Sequence, residues 1–181
     1  MKKHFGPLLL AAALLLGGCG SRNEARFRDF SEALRAREDL AMTAVVRAEY
    51  DDRSCSFTLR YTDEEDGGCC VEVLEPELIR GVRAHMDGSG AKLLFDSVAI
   101  DTGEDAAAQL SPMGALPLLA RSLREGMLDS VWTEDGNCAA LLVPEDGVAV
   151  TVLFDGEMKP SRAEMAQDGR VRLYVELTEF E

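Results

Sequence analysis

Apolar and polar residues alternate with a period of two over much of the chain after residue 41. Residues 42–50 and 55–61 both show this alternation, which is typical of β-strands with one buried face. Segments rich in Asp and Gly, such as 62–68 and 87–90, separate the alternating runs and are typical of tight turns. Because short turns join antiparallel neighbours, the pattern predicts an antiparallel sheet.

The alternation also predicts which residues face each other. In the first hairpin we expect Tyr61 opposite Cys69 and Leu59 opposite Val71. The last third predicts a meander with strands near 129–134, 138–143, 148–154, 157–166 and 170–178. Its expected pairs are Val131–Leu141, Leu141–Val150, Val143–Val148, Met165–Val171 and Ala163–Leu173, the last two across a three-residue loop. Its predicted apolar face consists of Val131, Leu141, Val143, Val148, Val150, Val152, Ala163, Met165, Val171, Leu173, Val175 and Leu177.

Two segments have helical rather than strand-like spacing of their apolar residues. The first is 24–41 and the second is 112–125. Ser111 is a capping residue and Pro112 stands in the first helical position, which favours a helix start there. We expect Pro117 to restart this second helix.

A sheet with this many strands and one apolar face tends to curl, and its apolar face must be covered. The two helices are the candidates for this cover. The predicted fold class is therefore α+β: a curled antiparallel sheet, or unclosed half-barrel, covered on its concave face by helices. We expect one domain, residues 24–181.

The first residues predict export from the cytoplasm. Lys2 and Lys3 precede a short apolar run that ends in Leu16-Gly17-Gly18-Cys19, as in a signal peptide of residues 1–18. The segment Leu16-Gly17-Gly18-Cys19 resembles the lipobox of bacterial lipoproteins. That resemblance implies that Cys19 is lipidated, with palmitate-like acyl chains holding the protein on the extracytoplasmic face of the cell membrane. Residues 19–23 are then the lipidated cysteine and a short tether.

The charge of the chain excludes one class of partner. It has 33 acidic and 19 basic residues, a net charge of −14. Removing residues 1–18 removes Lys2 and Lys3 and no acid, which leaves −16. A polyanion is repelled by phosphate backbones, so we expect no nucleic-acid partner.

The order of predicted elements resembles a known family. A helix, a run of strands, a helix with proline and a final meander are similar to the periplasmic lipoprotein carriers, the LolA/LolB-like proteins. The sequence segments that carry the resemblance are Val73-Leu74-Glu75-Pro76-Glu77, Phe95-Asp96, Phe154-Asp155-Gly156 before Pro160, Arg162-Ala163-Glu164 and Leu177-Thr178-Glu179-Phe180. The resemblance implies an unclosed barrel lidded by helices, whose concave face takes acyl chains. Some lipid-anchored relatives act instead through protein partners.

The residues suited to catalysis or metal binding are few. After residue 18 the chain has a single histidine, His85, and no C-x-x-C or zinc-finger spacing. We expect Cys55, Cys69, Cys70 and Cys138 to be unpaired thiols. The sequence therefore predicts no enzyme, no cofactor and no metal site.

Two functions from different classes remain open. In the first, the concave face is a groove for a lipid or acyl chain, lined by Ala44, Phe57, Leu59, Tyr61, Val71, Val150, Val152, Ala163 and Leu173. In the second, the core is filled and the protein acts through an envelope protein partner. Small residues such as Ala48 and Ala139 would leave room for a ligand. Large ones such as Phe154 would fill the space.

Overall fold

A computed structural model describes residues 18–50, 53–87, 90–95, 98–103 and 110–181 of the chain. The predicted signal peptide, apart from Gly18, lies outside these residues, as do residues 104–109 of the second half. Among the described residues, no helix combines the length and the apolar character needed to cross a membrane.

The described residues form one antiparallel sheet of eleven strands. The strand order is β6-β5-β4-β3-β2-β1-β11-β10-β9-β8-β7, so β6 and β7 are the edges and the sheet does not close. The strands are β1 Ala41–Tyr50, β2 Arg53–Asp63, β3 Cys69–Glu75, β4 Arg83–Asp87, β5 Gly90–Phe95, β6 Val98–Gly103, β7 Leu128–Glu134, β8 Asn137–Glu145, β9 Val148–Phe154, β10 Pro160–Gln167 and β11 Arg170–Phe180. Strands that follow one another in sequence pair within β1–β6 and within β7–β11, and the pairing of β1 with β11 joins the two halves. The predicted unclosed antiparallel sheet with helices is confirmed.

The first helix, α1, spans Gly18–Arg35, so it begins and ends earlier than the predicted 24–41. The predicted tether at residues 20–23 lies within it. The helix cannot run to Ala41 because the sheet uses that backbone: the amide of Ala41 donates to the Glu181 carbonyl at 3.1 Å, and Glu181 donates back at 3.0 Å.

The second helix, α2, spans Pro112–Glu125 and starts as predicted. The Ser111 hydroxyl accepts a hydrogen bond from the Gly114 amide at 3.1 Å, and Gly126 ends the helix with a left-handed φ of 63°. Pro117 lies inside the helix and does not restart it. Proline at this position removes one backbone hydrogen bond. The helix continues through it because apolar side chains on both sides of Pro117, including Leu116 and Leu119, are buried against the sheet.

The core lies between the helices and the concave face of the sheet. Leu116, Leu119 and Leu123 of α2 are fully buried there. At the other helix, the ring of Phe154 meets that of Phe30 edge-on, with centroids 5.3 Å apart. Alternate residues of the strands complete the core, as in the burial pattern of β9, where Val148, Val150, Val152 and Phe154 are buried.

The register of the first hairpin differs from the prediction by two residues. Tyr61 pairs with Val71 and Leu59 with Val73, because a hydrogen bond from the Glu64 amide to the Gly68 carbonyl closes the turn nearer to β3. A shift of two residues preserves the faces of both strands. The predicted apolar face is therefore correct although the pairs are wrong.

The register of β8 differs by one residue, which reverses its faces. Val131 pairs with Ala140 and Leu142 with Val150, so the predicted pairs Val131–Leu141 and Leu141–Val150 are wrong. The turn uses two residues, Asp135 and Gly136, both with positive φ, whereas the predicted turn has three. Leu142 is consequently buried, Leu141 is half-buried, and Val143 is exposed. Glu145, not Val143, pairs with Val148.

The last turn also has two residues instead of the predicted three. Asp168 and Gly169, with φ of 51° and 75°, join Gln167 to Arg170. A β-bulge between Met165 and Ala166 then shifts the register. The observed pairs are Ala166–Val171, Met165–Leu173 and Ala163–Val175. The predicted pairs are wrong, but the bulge restores the inward direction of Ala163, Met165, Leu173 and Val175, which are buried.

Candidate functional site

The residues predicted to line a ligand groove all lie on the concave face and belong to one core cluster. Eight of them are buried, namely Ala44, Leu59, Tyr61, Val71, Val150, Val152, Ala163 and Leu173. Phe57 is partly buried and packs against the edge of the same cluster. The structure therefore brings the predicted set together.

Most of these side chains have little or no accessible surface. A side chain with no accessible surface touches neither bulk water nor a void as large as a water molecule. Ala44, Leu59 and Val150 each have a relative exposure of 0%. On the helix side, Leu119 and Leu123 are also at 0%. At these positions, the space predicted for acyl chains is occupied by the chain's own residues.

A polar network closes one end of the core around Asp63. Its carboxylate accepts hydrogen bonds from the Tyr61 hydroxyl at 2.6 Å and from the Leu40 amide at 2.9 Å. Arg124 at the end of α2 donates with both terminal nitrogens, one of them at 3.0 Å. The Arg124 carbonyl in turn accepts from Arg35 of α1, at 2.8 Å and 3.0 Å. Both helices are thus fastened to the end of β2.

The network sets the protonation of its members. Burial alone would raise the pKa of Asp63, but the hydrogen bonds from Arg124, Tyr61 and Leu40 outweigh it and lower that pKa below its usual value. Burial, together with the hydrogen bond to Asp63, raises the pKa of Tyr61. The pair is therefore carboxylate with guanidinium at neutral pH, and its role here is structural.

A second polar cluster lies on the outer face of the sheet, where Glu64, Cys70 and His85 meet. Cys70 and His85 are direct partners in the β3–β4 register. The Cys70 Sγ lies 3.9 Å from Nε2 of His85, and Nδ1 of His85 lies 2.7 Å and 3.0 Å from the two carboxylate oxygens of Glu64. Burial, reinforced by the charge of Glu64, raises the pKa of Cys70, which keeps its thiol protonated at neutral pH.

The sequence alone does not indicate that these three residues meet. They come from three segments, and none of the spacings is that of a known motif. The signal that could have found them is strand register: with the β2–β3 and β3–β4 turns placed correctly, Cys70 falls opposite His85 and beside the turn that carries Glu64.

One part of the sheet extends beyond the helices. The α2 helix packs on β1, β2, β3, β8 and β11, and α1 packs on β7. We call strands β4–β6 the overhang and strands β1–β3 and β7–β11 the covered sheet. The register continues the concave face across the overhang through Ala84, Met86, Ala91, Leu93, Phe95 and Val98. Phe95 and Val98, which pair with each other, are 50% and 60% exposed.

The four cysteines differ in their burial. All four cysteines after Cys19 are free in the structure. Cys138 is buried in the core, whereas Cys55, Cys69 and Cys70 are partly exposed. Burial raises the pKa of Cys69 to about 12, so this thiol is a weak nucleophile.

Comparison with known proteins gives similar structures but no similar sequence. No protein-family model matches the chain, and no curated protein sequence matches it. A LolA superfamily protein from Nitrosomonas europaea shares 12% identity over 87% of this chain and 92% of that chain, with a TM-score of 0.48. A putative outer membrane lipoprotein-sorting protein domain from Vibrio parahaemolyticus shares 9% over 86% and 90%, also with a TM-score of 0.48.

A third similar structure is the complex of the CwlD amidase from Clostridioides difficile with the GerS lipoprotein. Its matching chain shares 16% identity over 87% of this chain and 94% of that chain, with a TM-score of 0.46. The chain's own topology decides the fold: a helix, six strands, a helix and five strands on one unclosed sheet. The predicted architecture, an unclosed antiparallel sheet with helices on its concave face, is confirmed.

Proposed function

We propose that this chain is a cell-envelope lipoprotein that acts by binding a protein partner and carries no lipid inside its sheet. The observation that supports this proposal is the absence of exposed surface on Ala44, Leu59 and Val150. A lipid carrier needs a cavity of some hundreds of Å³ for its ligand. Of the two functions that the sequence leaves open, a filled core favours the one that uses the outside of the molecule.

The anchor in this proposal is Cys19. The supporting feature is the sequence Leu16-Gly17-Gly18-Cys19 after a short apolar run. Acyl chains contribute about 0.8 kcal/mol per buried methylene, so two or three chains hold a protein at a membrane without a spanning helix. The net charge of the chain after Cys19, −16, keeps its body away from anionic lipid head groups.

The proposed contact surface is the overhang. Its outer strand, β6, has no neighbour beyond it in the described sheet, and such an edge is a template for an added strand. Phe95 and Val98 extend the apolar face to this edge. The occupant that fits is an extended segment of a partner protein with alternate apolar residues, and basic residues in the segment would complement the acidic chain.

Photo-crosslinking in cells tests this proposal. A photoreactive amino acid replaces Val98 in the full chain, and we expect a protein adduct in the membrane fraction. The same amino acid at Thr133, which is exposed on the opposite edge strand, is the matched control and should give no such adduct. Adding Cys19→Ala should move the chain to the soluble fraction, because the acyl anchor is lost.

Three outcomes would contradict parts of the proposal. The first is saturable binding of a fluorescent fatty acid to the full chain in detergent, displaced by an unlabelled fatty acid, which would support the carrier function. The second is an equal yield of protein adduct at Val98 and Thr133, which would remove the overhang as the contact surface. Retention of Cys19→Ala in the membrane fraction would contradict the anchor.

A further inference from the structure

We propose that Cys70 and His85 bind a zinc ion on the outer face of the sheet, with Glu64 holding the imidazole in place. The three residues lie on the opposite side of the sheet from the core. The proposal is independent of the partner surface described above. It rests on their distances, their rigid supports and their access to solvent.

The distance between the two proposed ligand atoms suits a tetrahedral zinc ion. Bonds of about 2.3 Å to sulfur and about 2.0 Å to nitrogen at the tetrahedral angle place those atoms about 3.5 Å apart. The Cys70 Sγ and the His85 Nε2 are 3.9 Å apart. Because the two residues are direct cross-strand partners, a small rotation of either side chain admits the ion.

Glu64 supplies the support that metal-binding histidines generally have. Its carboxylate lies 2.7 Å from Nδ1 of His85, so Nδ1 donates to it and carries the ring proton. Nε2, which lies 3.9 Å from the Cys70 Sγ, then has a lone pair available to a metal ion. This is the carboxylate–histidine–metal arrangement, in which the carboxylate fixes the tautomer and raises the basicity of the ring.

The turn that carries Glu64 is held rigidly against β4. The Glu64 amide donates to the Gly68 carbonyl at 2.9 Å, and the Gly67 amide donates to the Glu64 carbonyl at 3.0 Å. A Cβ at Gly68 would lie 2.8 Å from the Met86 carbonyl oxygen. Only glycine permits this close approach, which brings Glu64 within reach of His85.

The cluster is open on one side. The side chains of His85 and Glu64 are 36% and 31% exposed. Water from this side completes the coordination of the ion. On binding, the Cys70 thiol releases its proton to solvent. The resulting thiolate and the imidazole select a borderline ion such as Zn²⁺, whereas Ca²⁺ and Mg²⁺ need sets of oxygen ligands.

Zinc and cobalt titrations of the full chain, reduced and in detergent, test this site. We expect one Zn²⁺ per chain, and a thiolate-to-cobalt charge-transfer band when Co²⁺ replaces it. Cys70→Ser and His85→Gln should each abolish both signals. Glu64→Gln should weaken zinc binding by about 10- to 100-fold, as is usual when the residue supporting a ligand is changed.

Neighbouring residues provide matched controls. Cys69→Ala removes the adjacent thiol, which packs against the core on the other face, and Glu65→Gln removes the adjacent carboxylate. Both should bind zinc as the wild type does. Zinc should raise the unfolding temperature of the wild type and leave that of Cys70→Ser unchanged. Wild-type zinc affinity in Cys70→Ser, or a cobalt form without the charge-transfer band, would overturn the proposal.

Discussion

Val150 and Val98 occupy concave-face positions of the same sheet, yet Val150 has no exposed surface and Val98 is 60% exposed. The first lies in the covered sheet and the second in the overhang. In the covered sheet, α2 places Leu119 and Leu123 over the strands. In the described part of the overhang, the fully buried side chains are the small ones of Ala84 and Ala91.

The two regions therefore share a binary pattern but differ in what packs on it. Removing apolar surface from water contributes about 25 cal/mol per Å² to stability. The covered sheet gains this contribution when the helices pack on it, whereas the exposed apolar residues of the overhang do not gain it in the isolated chain. The overhang would recover this free energy if apolar residues of a partner protein packed on it. Stability is therefore concentrated in one region, and the surface available to a partner lies in the other.

The largest expected effect on the free energy of unfolding comes from weakening the attachment of α2 to the sheet. Asp63→Asn breaks the pair that fastens α2 to β2, and it should lower the free energy of unfolding by about 3 kcal/mol at pH 7. Little is lost to solvent screening, because the Asp63 and Arg124 side chains are only 10% and 22% exposed. Chemical denaturation measures the loss. Amide hydrogen exchange in α2 should become faster, while exchange in the overhang should not change.

The pH dependence of this effect follows from the lowered pKa of Asp63. A carboxyl with a depressed folded pKa contributes its full stability above the unfolded value of about 3.9 and loses it as the pH falls through the folded value. The difference between wild type and Asp63→Asn should thus be constant near neutrality and shrink below about pH 4. Asp39→Asn, at an exposed pair 3.7 Å long, is the control and should cost under about 1 kcal/mol. A difference that persists in acid would contradict this account.

The sequence predicts the faces of the strands better than their partners, for a physical reason. Alternation is local, so the inward direction of Val150 and Leu173 can be predicted from their neighbours alone. Pairing depends on turn length, and Asp135-Gly136-Asn137 is compatible with a turn of two or three residues. That single residue decides whether Leu141 or Leu142 is buried.

Two other features depend on parts of the chain that are distant in sequence. The exposure of Phe95 depends on where α2 lies on the sheet, which its own alternation cannot indicate. The cluster of Glu64, Cys70 and His85 requires the correct register of two successive hairpins. The predicted pairing of Tyr61 with Cys69 places Cys70 opposite Arg60, whereas the observed register places it opposite Thr62, two residues from Glu64.

A smaller effect tests whether the covered core is filled. Ala44→Phe adds a ring where the structure leaves no space, so it should cost about 2–3 kcal/mol by overpacking. Ala149→Phe is the matched control, because Ala149 is half-buried on the outer face of β9, and it should cost under about 1 kcal/mol. Both are measured by urea denaturation. An unchanged free energy of unfolding in Ala44→Phe would reveal free space in the core and favour a lipid ligand.

The smallest expected effect compares one isosteric change in the two regions. Val150→Thr buries a hydroxyl among Leu142 and Met165, its partners on the adjacent strands, and should cost about 1–2 kcal/mol because no partner accepts its hydrogen bond. Val98→Thr places the same hydroxyl at a position that is 60% exposed and should change the free energy of unfolding by less than about 0.5 kcal/mol. Because both variants make the same change in side-chain volume, the difference between their free energies of unfolding measures how much more deeply Val150 is buried than Val98. Equal costs at dilute protein concentration would mean that Val98 is buried in solution by another part of the chain, and the overhang would then not be available to a partner.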